Sequence, residues 1–265
     1  MLQSCKKSEQ ALVTDEIVKL RVELKQLWDE FELDRWDNLM DFIACFTIYF
    51  EELPNPELSY IVLFIMACHS LAMDKFCTLG CGSAERVNTT YYAIFSRYLN
   101  DTQLGFYRSL FEAWTVTLHR EQPLKELLPT VTLPIVRDFM WADWRNENIA
   151  MVAYIRTIMV VNFPNEEMHS ALSLSTGVYM SLQCGLLNDM ASVAKDKNSN
   201  EINFFIDVAP GTVMKQKDLF EEVENYINTV NLSDNYKLVL RSTLHGSYIL
   251  YTGSKRYYGK SQCNW

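Results

Sequence analysis

Asn188, Ser192 and Asp196 recur at intervals of four residues in the run Asn188-Asp189-Met190-Ala191-Ser192-Val193-Ala194-Lys195-Asp196. On an α-helix such residues share one face and drift by only about 40° per step. An amide oxygen, a hydroxyl and a carboxylate stacked this way offer three hard oxygen ligands. That set suits Mg²⁺, which takes oxygen ligands and keeps waters and substrate phosphates in its shell. The preceding residues, Leu182 to Leu187, are mostly apolar, so the polar trio emerges from a buried helix. Buried polar groups cost free energy unless they are paired. The plain alternative is the solvent face of a helix near its end.

Helices must position these residues. The chain has 265 residues, 49% of them hydrophobic and 13% aromatic, with nine Gly and seven Pro. That composition supports a large core and an all-helical fold. A charge of −9 argues against a general nucleic-acid binder, which needs a basic surface. Seven Cys is an odd count without zinc-like pairing, and it reads as reduced thiols in a cytoplasmic protein. The four His residues, 69, 119, 169 and 245, form no metal signature. Residues 1–14 are polar and read as a flexible segment without a signal sequence.

Apolar periodicity predicts helices over Asp15–Phe31, Trp36–Phe50, Glu57–Phe76, Asn88–Leu99 and Leu104–Arg120. Ile135–Asn148 and Met151–Val161 read as two helices or one broken helix, and further helices are expected over Glu166–Ala194, Asn198–Asp207, Leu219–Thr229 and Asp234–Tyr258, with Pro54, Pro56, Pro123, Pro129, Pro134 and Pro210 as breaks. Gly177 and Gly185 are candidate kinks in the helix that carries the trio. The apolar run Tyr60–Met73 is too short to span a bilayer and reads as a buried helix.

Asp74 closes that apolar helix. A carboxylate there opposes the helix dipole, so a solvated terminus and a functional ligand are both open on the residues alone. Arg145 and Arg156 stand eleven residues apart, about three turns, and could share one helix face. Guanidinium groups suit phosphate because their forked donors bind two oxygens at once. Lys255-Arg256-Tyr257 ends the last predicted helix, where basic residues commonly suit the dipole.

The order of these features resembles the class I terpene synthase family. Asn188, Asp189, Ser192, Lys195 and Asp196 match its second metal-binding motif, with Asp196 where Glu is usual. Asp74 lies where the family has a run of leading carboxylates, but no second Asp stands beside it. Trp141, Trp144 and Arg145 with Tyr154 and Arg156 resemble the stretch that carries the family's diphosphate-reading Arg. Arg256 and Tyr257 resemble the pair that ends its last core helix. The resemblance covers roughly residues 35 to 260 and implies one domain, an antiparallel helical barrel around an apolar cavity.

The resemblance implies that Asp74, Asn188, Ser192 and Asp196 hold three Mg²⁺ ions, with Mn²⁺ as a substitute. Arg156, Lys195, Arg256 and Tyr257 would grip the diphosphate of a prenyl substrate. Phe46, Tyr49, Phe76, Tyr154, Tyr248 and Tyr251 are then expected to line the pocket, although aromatics at helical spacing also serve as plain core. The implied activity is ionisation and cyclisation of farnesyl diphosphate to a sesquiterpene or its alcohol, by a monomer or homodimer without a membrane span. A chain-elongating prenyltransferase would need two Asp-rich motifs that this sequence does not show in full. A helical binding protein that kept the fold without catalysis is the remaining alternative.

Overall fold

A computed structural model describes residues 2–78, 84–166, 170–199 and 201–253. Among them no strand occurs and twelve α-helices do. They are α1 (Leu2–Leu12), α2 (Asp15–Glu30), α3 (Trp36–Phe46), α4 (Pro56–Thr78), α5 (Ala84–Phe95), α6 (Asp101–Leu118), α7 (Glu121–Leu127), α8 (Pro134–Asn148), α9 (Met151–Asn162), α10 (Ala171–Ser199), α11 (Gln216–Thr229) and α12 (Asp234–Gly253). The protein is all-α.

Local chemistry sets several of the ends. Thr14 caps α2 by accepting from the Ile17 N–H at 3.3 Å, and Ile17, Leu20, Leu24 and Trp28 form its buried stripe. Asn100 and Gln103 cap the start of α6 reciprocally, at 2.9 and 3.2 Å. Pro134 starts α8, where its missing N–H and fixed φ suit the first turn. At α3 the helix stops at Phe46 rather than running to Phe50; Thr47 folds its hydroxyl back onto the Ile43 carbonyl at 3.0 Å.

Six helices pack in a closed ring: α3 on α4, α4 on α6, α6 on α8, α8 on α10, α10 on α12, and α12 back on α3. The helix α9 bridges α4, α6, α10 and α12, while α1, α2, α5 and α11 pack on the outside. The stretch Pro56–Phe76 of α4 has the length and apolar character of a membrane span, longer than the Tyr60–Met73 core of the pattern, but 67% of it is buried inside the protein. That is how a central core helix is placed.

Two expectations need correction here. Residues 2–12 are helical rather than loose. Few apolar residues mark α1, yet Glu9 is buried because it accepts from the Tyr60 hydroxyl at 2.5 Å and pairs with Arg21. The segment Asn198–Asp207 is not a helix. Asn203 donates to the Asp189 carbonyl at 2.7 Å and caps Phe205 at 3.0 Å, so only one π-helical turn, Phe204–Val208, follows. Both candidate kink positions, Gly177 and Gly185, lie inside α10, which continues past each of them.

The core contains one fully buried imidazole. His69 stacks on Phe111, with ring centroids 3.8 Å apart. Its Nε2–H donates to Asn88 Oδ1 at 2.8 Å, and its Nδ1 accepts from the Tyr107 hydroxyl at 2.9 Å. Burial pushes its pKa down to about 3. The unfolded chain therefore takes up this proton near pH 6.5, and the folded chain does so only near pH 3. The stability from neutral His69 is complete above pH 6.5. It is lost at about 1.4 kcal/mol per pH unit as the pH falls from there toward 3. Urea unfolding at pH 7 and pH 4.5 checks this: the His69→Gln variant is expected to show a much flatter change between the two than the wild type.

Candidate active site

The ring of helices encloses a cavity of about 760 Å³. Its walls come from α3 (Asn38, Leu39, Phe42), α4 (Leu63, Met66, Ala67, Leu71), α6 (Trp114, Leu118), α8 (Trp144), α9 (Met151, Tyr154) and α12 (Leu250, Tyr251). Most of these side chains are apolar or aromatic. The charged groups are Glu32, Asp34, Arg35, Asp74, Lys75, Glu121, Arg145, Lys195, Asp196 and Glu201, joined by Asn148 and Asn188. Cavity and charged rim together give a pocket that is greasy along its walls and ionic at one end.

The polar trio meets this ionic end. Asn188 and Asp196 line the cavity. Ser192, one turn from each, donates its hydroxyl to Asp196 Oδ2. Asn203 Nδ2 donates to the same oxygen at 2.9 Å. Asp196 is 3% exposed; its other oxygen, Oδ1, receives no hydrogen bond and faces Lys195 Nζ at 3.2 Å. Lys195 also donates to Glu201 Oε2 at 2.6 Å. Burial alone would lower the Lys195 pKa, but the Glu201 hydrogen bond and the Asp196 charge hold it above its usual value.

Asp189 turns the other way and anchors the wall. It is fully buried and accepts from Arg145, from Trp141 Nε1 at 3.1 Å and from the Phe204 N–H at 2.9 Å. Arg145 in turn donates to Asn188 Oδ1 at 2.9 Å and Asn148 Oδ1 at 3.0 Å, with its guanidinium 5.2 Å from the Trp144 ring. Burial disfavours its charge, but the Asp189 carboxylate outweighs burial and raises its pKa.

Gly185 makes room for this arginine. A Cβ at position 185 would stand 2.7 Å from Arg145 Cγ and 3.4 Å from Cδ. Because the ion pair fixes the arginine, it has little freedom to move aside. Gly185→Ala is expected to cost about 1–3 kcal/mol through overpacking, read as a lower urea midpoint.

Arg156 does not join the site. The break at Ile149 and Ala150, with Ala150 left-handed at φ 57°, puts Arg145 and Arg156 on separate helices. The Arg156 charge acts instead on Tyr236, whose hydroxyl donates to the Ser173 carbonyl at 3.1 Å. Ser173 precedes Asp189 by 16 positions on α10, or about 24 Å of helix. Of the two, Arg145 is the one that lines the cavity.

Of the six aromatics expected to line the pocket, Tyr154 and Tyr251 do so. Phe46 is fully buried and sets its ring edge-on to Tyr154 at 5.5 Å; the bare Gly246 lets α12 approach it, since a Cβ there would be 3.0 Å from Phe46 Cα. Tyr49 is hydrogen-bonded to His245 Nδ1 at 3.0 Å, Phe76 packs on Phe31, and Tyr248 packs on Phe220. None of these four lines the cavity. Phe42, Trp114 and Trp144 take that place.

Asp74 lines the cavity at the last turns of α4. Arg256 and Tyr257 lie outside the described residues. Sequence reasoning missed Glu121, the first residue of α7, and Glu201, just after α10. Burial pushes the Glu121 carboxyl up, the Ile202 N–H opposes this, and the charges of Glu201 and Asp74 add to it. All three non-glycine residues with positive φ among the described residues, Glu32, Arg35 and Ala150, also line the cavity. Such strained backbone gathers at functional sites.

Among the described residues no three His, Cys, Asp or Glu side chains converge into a metal site of their own. The trio still fits Mg²⁺, because two of its three oxygen donors are an amide and a hydroxyl, and because the buried Asp196 Oδ1 is met only by the Lys195 ammonium at 3.2 Å. Mg²⁺ is commonly held by one or two carboxylates, with waters and phosphates completing its shell. No protein-family model and no curated protein matches this chain.

Proposed function

We propose that this protein is a Mg²⁺-dependent class I terpene synthase that ionises a prenyl diphosphate, most simply farnesyl diphosphate, and cyclises the resulting cation. One observation carries the reading. Asn188 and Asp196 line the charged end of a largely apolar cavity of about 760 Å³, with Ser192 between them on the same face of α10 and its hydroxyl on Asp196. That volume lies within the range of about 300–1,000 Å³ usual for pockets that enclose a small-molecule ligand.

Mg²⁺ held by Asn188, Ser192 and Asp196, with Asp74 serving further ions, would supply Lewis-acid stabilisation of the leaving diphosphate. The protein's own groups do the rest. Arg145 and Lys195 present cationic donors at the same end, aimed where negative charge grows as the C–O bond breaks and its electron pair leaves with the diphosphate. Asp189 holds Arg145 in place without touching the cavity. The apolar walls exclude water from the allylic cation. The rings of Phe42, Trp144, Tyr154 and Tyr251 line its path, each face worth about 0.5–2 kcal/mol to a nearby positive charge. Loss of a proton or capture of water then ends the reaction.

The test is release of inorganic diphosphate from farnesyl diphosphate by the purified protein. Release with Mg²⁺ and none with chelator is expected. Equal release in both conditions, or none in either, overturns the reading.

A further inference from the structure

Lys195 is one of the two cations that the proposed chemistry aims at the diphosphate, and an anion of the chain itself already engages it. Its Nζ donates to Glu201 Oε2 at 2.6 Å and stands 3.2 Å from Asp196 Oδ1. Lys195 and Glu201 both line the cavity at its charged end. A headgroup that reaches for this ammonium meets a carboxylate there first. We infer that Glu201 is an internal competitor for the diphosphate: its carboxylate holds Lys195 until a more highly charged anion takes the ammonium over, and so sets how strongly a headgroup must bind. This rests on the proposed diphosphate chemistry and adds a regulating residue to it.

The way Glu201 is anchored separates its backbone from its side chain. Its N–H donates to the Asp196 carbonyl at 3.1 Å, and its own carbonyl accepts from Lys125 Nζ at 2.7 Å. The next residue, Ile202, is buried. The turn after α10 is therefore fixed and presents the carboxylate at one place. Among the described residues that carboxylate meets Lys195 and, through Oε1, the Ser199 hydroxyl at 2.9 Å. The side chains of Lys195 and Glu201 are 38% and 46% exposed. An ion pair this accessible is weak, and the carboxylate can swing into water without disturbing the turn.

The second cation is held differently. Arg145 is bound from behind by Asp189, which is fully buried and does not line the cavity. That pair stays intact whatever enters. Lys195 is held by an anion that itself lines the cavity, so its partner can be exchanged. A diphosphate carries more negative charge than one carboxylate and offers several oxygens, which favours it in that exchange.

Inorganic diphosphate, with Mg²⁺ present, is titrated into full-length wild type, Glu201→Gln, Lys195→Met and the double variant, and binding is read by isothermal titration calorimetry. Glu201→Gln keeps the size of the side chain and removes its charge. It is expected to bind diphosphate about 2- to 5-fold more tightly, the change that release of one exposed ion pair allows. Lys195→Met is expected to bind more weakly. In that background Glu201→Gln should add nothing, because the ammonium that both anions share is gone. A damaged site loses affinity, so a gain separates competition from loss of structure.

Binding by Glu201→Gln that equals or falls below the wild type would overturn the inference and leave the proposed function standing. So would a gain of equal size with and without Lys195, which would show general repulsion at the mouth instead. Absence of diphosphate binding by both the wild type and Glu201→Gln would overturn both.

Discussion

Replacing Asp189 by Ala is expected to lower stability by about 3–5 kcal/mol, a large share of the roughly 5–15 kcal/mol that holds a domain of this kind together. The residue is fully buried and is bonded to Arg145 and Trp141 of α8 and to Phe204 of the following π-helical turn. Its removal leaves the buried Arg145 charge without its counter-ion and two N–H donors without an acceptor. Each is costly where water cannot substitute. The pair as a whole contributes much less than either partner's deletion costs. Arg145→Met with Asp189→Leu should therefore recover the part of the loss that comes from the unpaired charge, while the Trp141 and Phe204 N–H groups stay without an acceptor. Urea denaturation of the two variants checks the argument. A loss below about 1 kcal/mol for Asp189→Ala would show that the ion pair does not organise this wall.

The largest effect on chemistry is expected at Asp196. Asp196→Asn keeps the shape of the side chain and an oxygen for the Ser192 hydroxyl and the Asn203 amide. It removes the charge at the cavity. Substitutions that only support a metal ligand cost about 10- to 100-fold, so removing a charged ligand should exceed about 100-fold in Mg²⁺-dependent turnover. The fold should stay nearly intact. Asn188→Ala is a less clean test, because Asn188 also accepts from Arg145. Initial rates measured beside the urea midpoint separate the two effects, and raising Mg²⁺ should restore part of the lost rate. An Asp196→Asn variant that turns over like the wild type would remove Asp196 from the site.

The helices were legible because their apolar spacing is local information. Asp15–Phe31 on the pattern is Asp15–Glu30 in the fold. The grouping of Asn188, Ser192 and Asp196 was legible for the same reason, since helical geometry alone puts them on one face. What a buried face meets is not local. Phe46 and Phe42 are one turn apart on α3, yet Phe42 reaches the cavity and Phe46 packs under Gly246. Nothing in the spacing of the aromatics separates cavity wall from core. The choice between Arg145 and Arg156 turned on Ala150 in a left-handed conformation, which no residue type there announces. Glu121 was invisible because nothing in its spacing marks the start of α7 as cavity wall. The helix α1 was missed because a buried Glu9 looks like solvent-facing polarity until Arg21 and Tyr60 are placed beside it.

The most direct measurement incubates the purified protein with geranyl, farnesyl and geranylgeranyl diphosphate, with and without Mg²⁺, and analyses the organic extract by gas chromatography–mass spectrometry. The account predicts a cyclic hydrocarbon or alcohol from one of these substrates, formed only with Mg²⁺ and lost in Asp196→Asn. A longer linear diphosphate formed on adding isopentenyl diphosphate, or no product from any substrate, would contradict it.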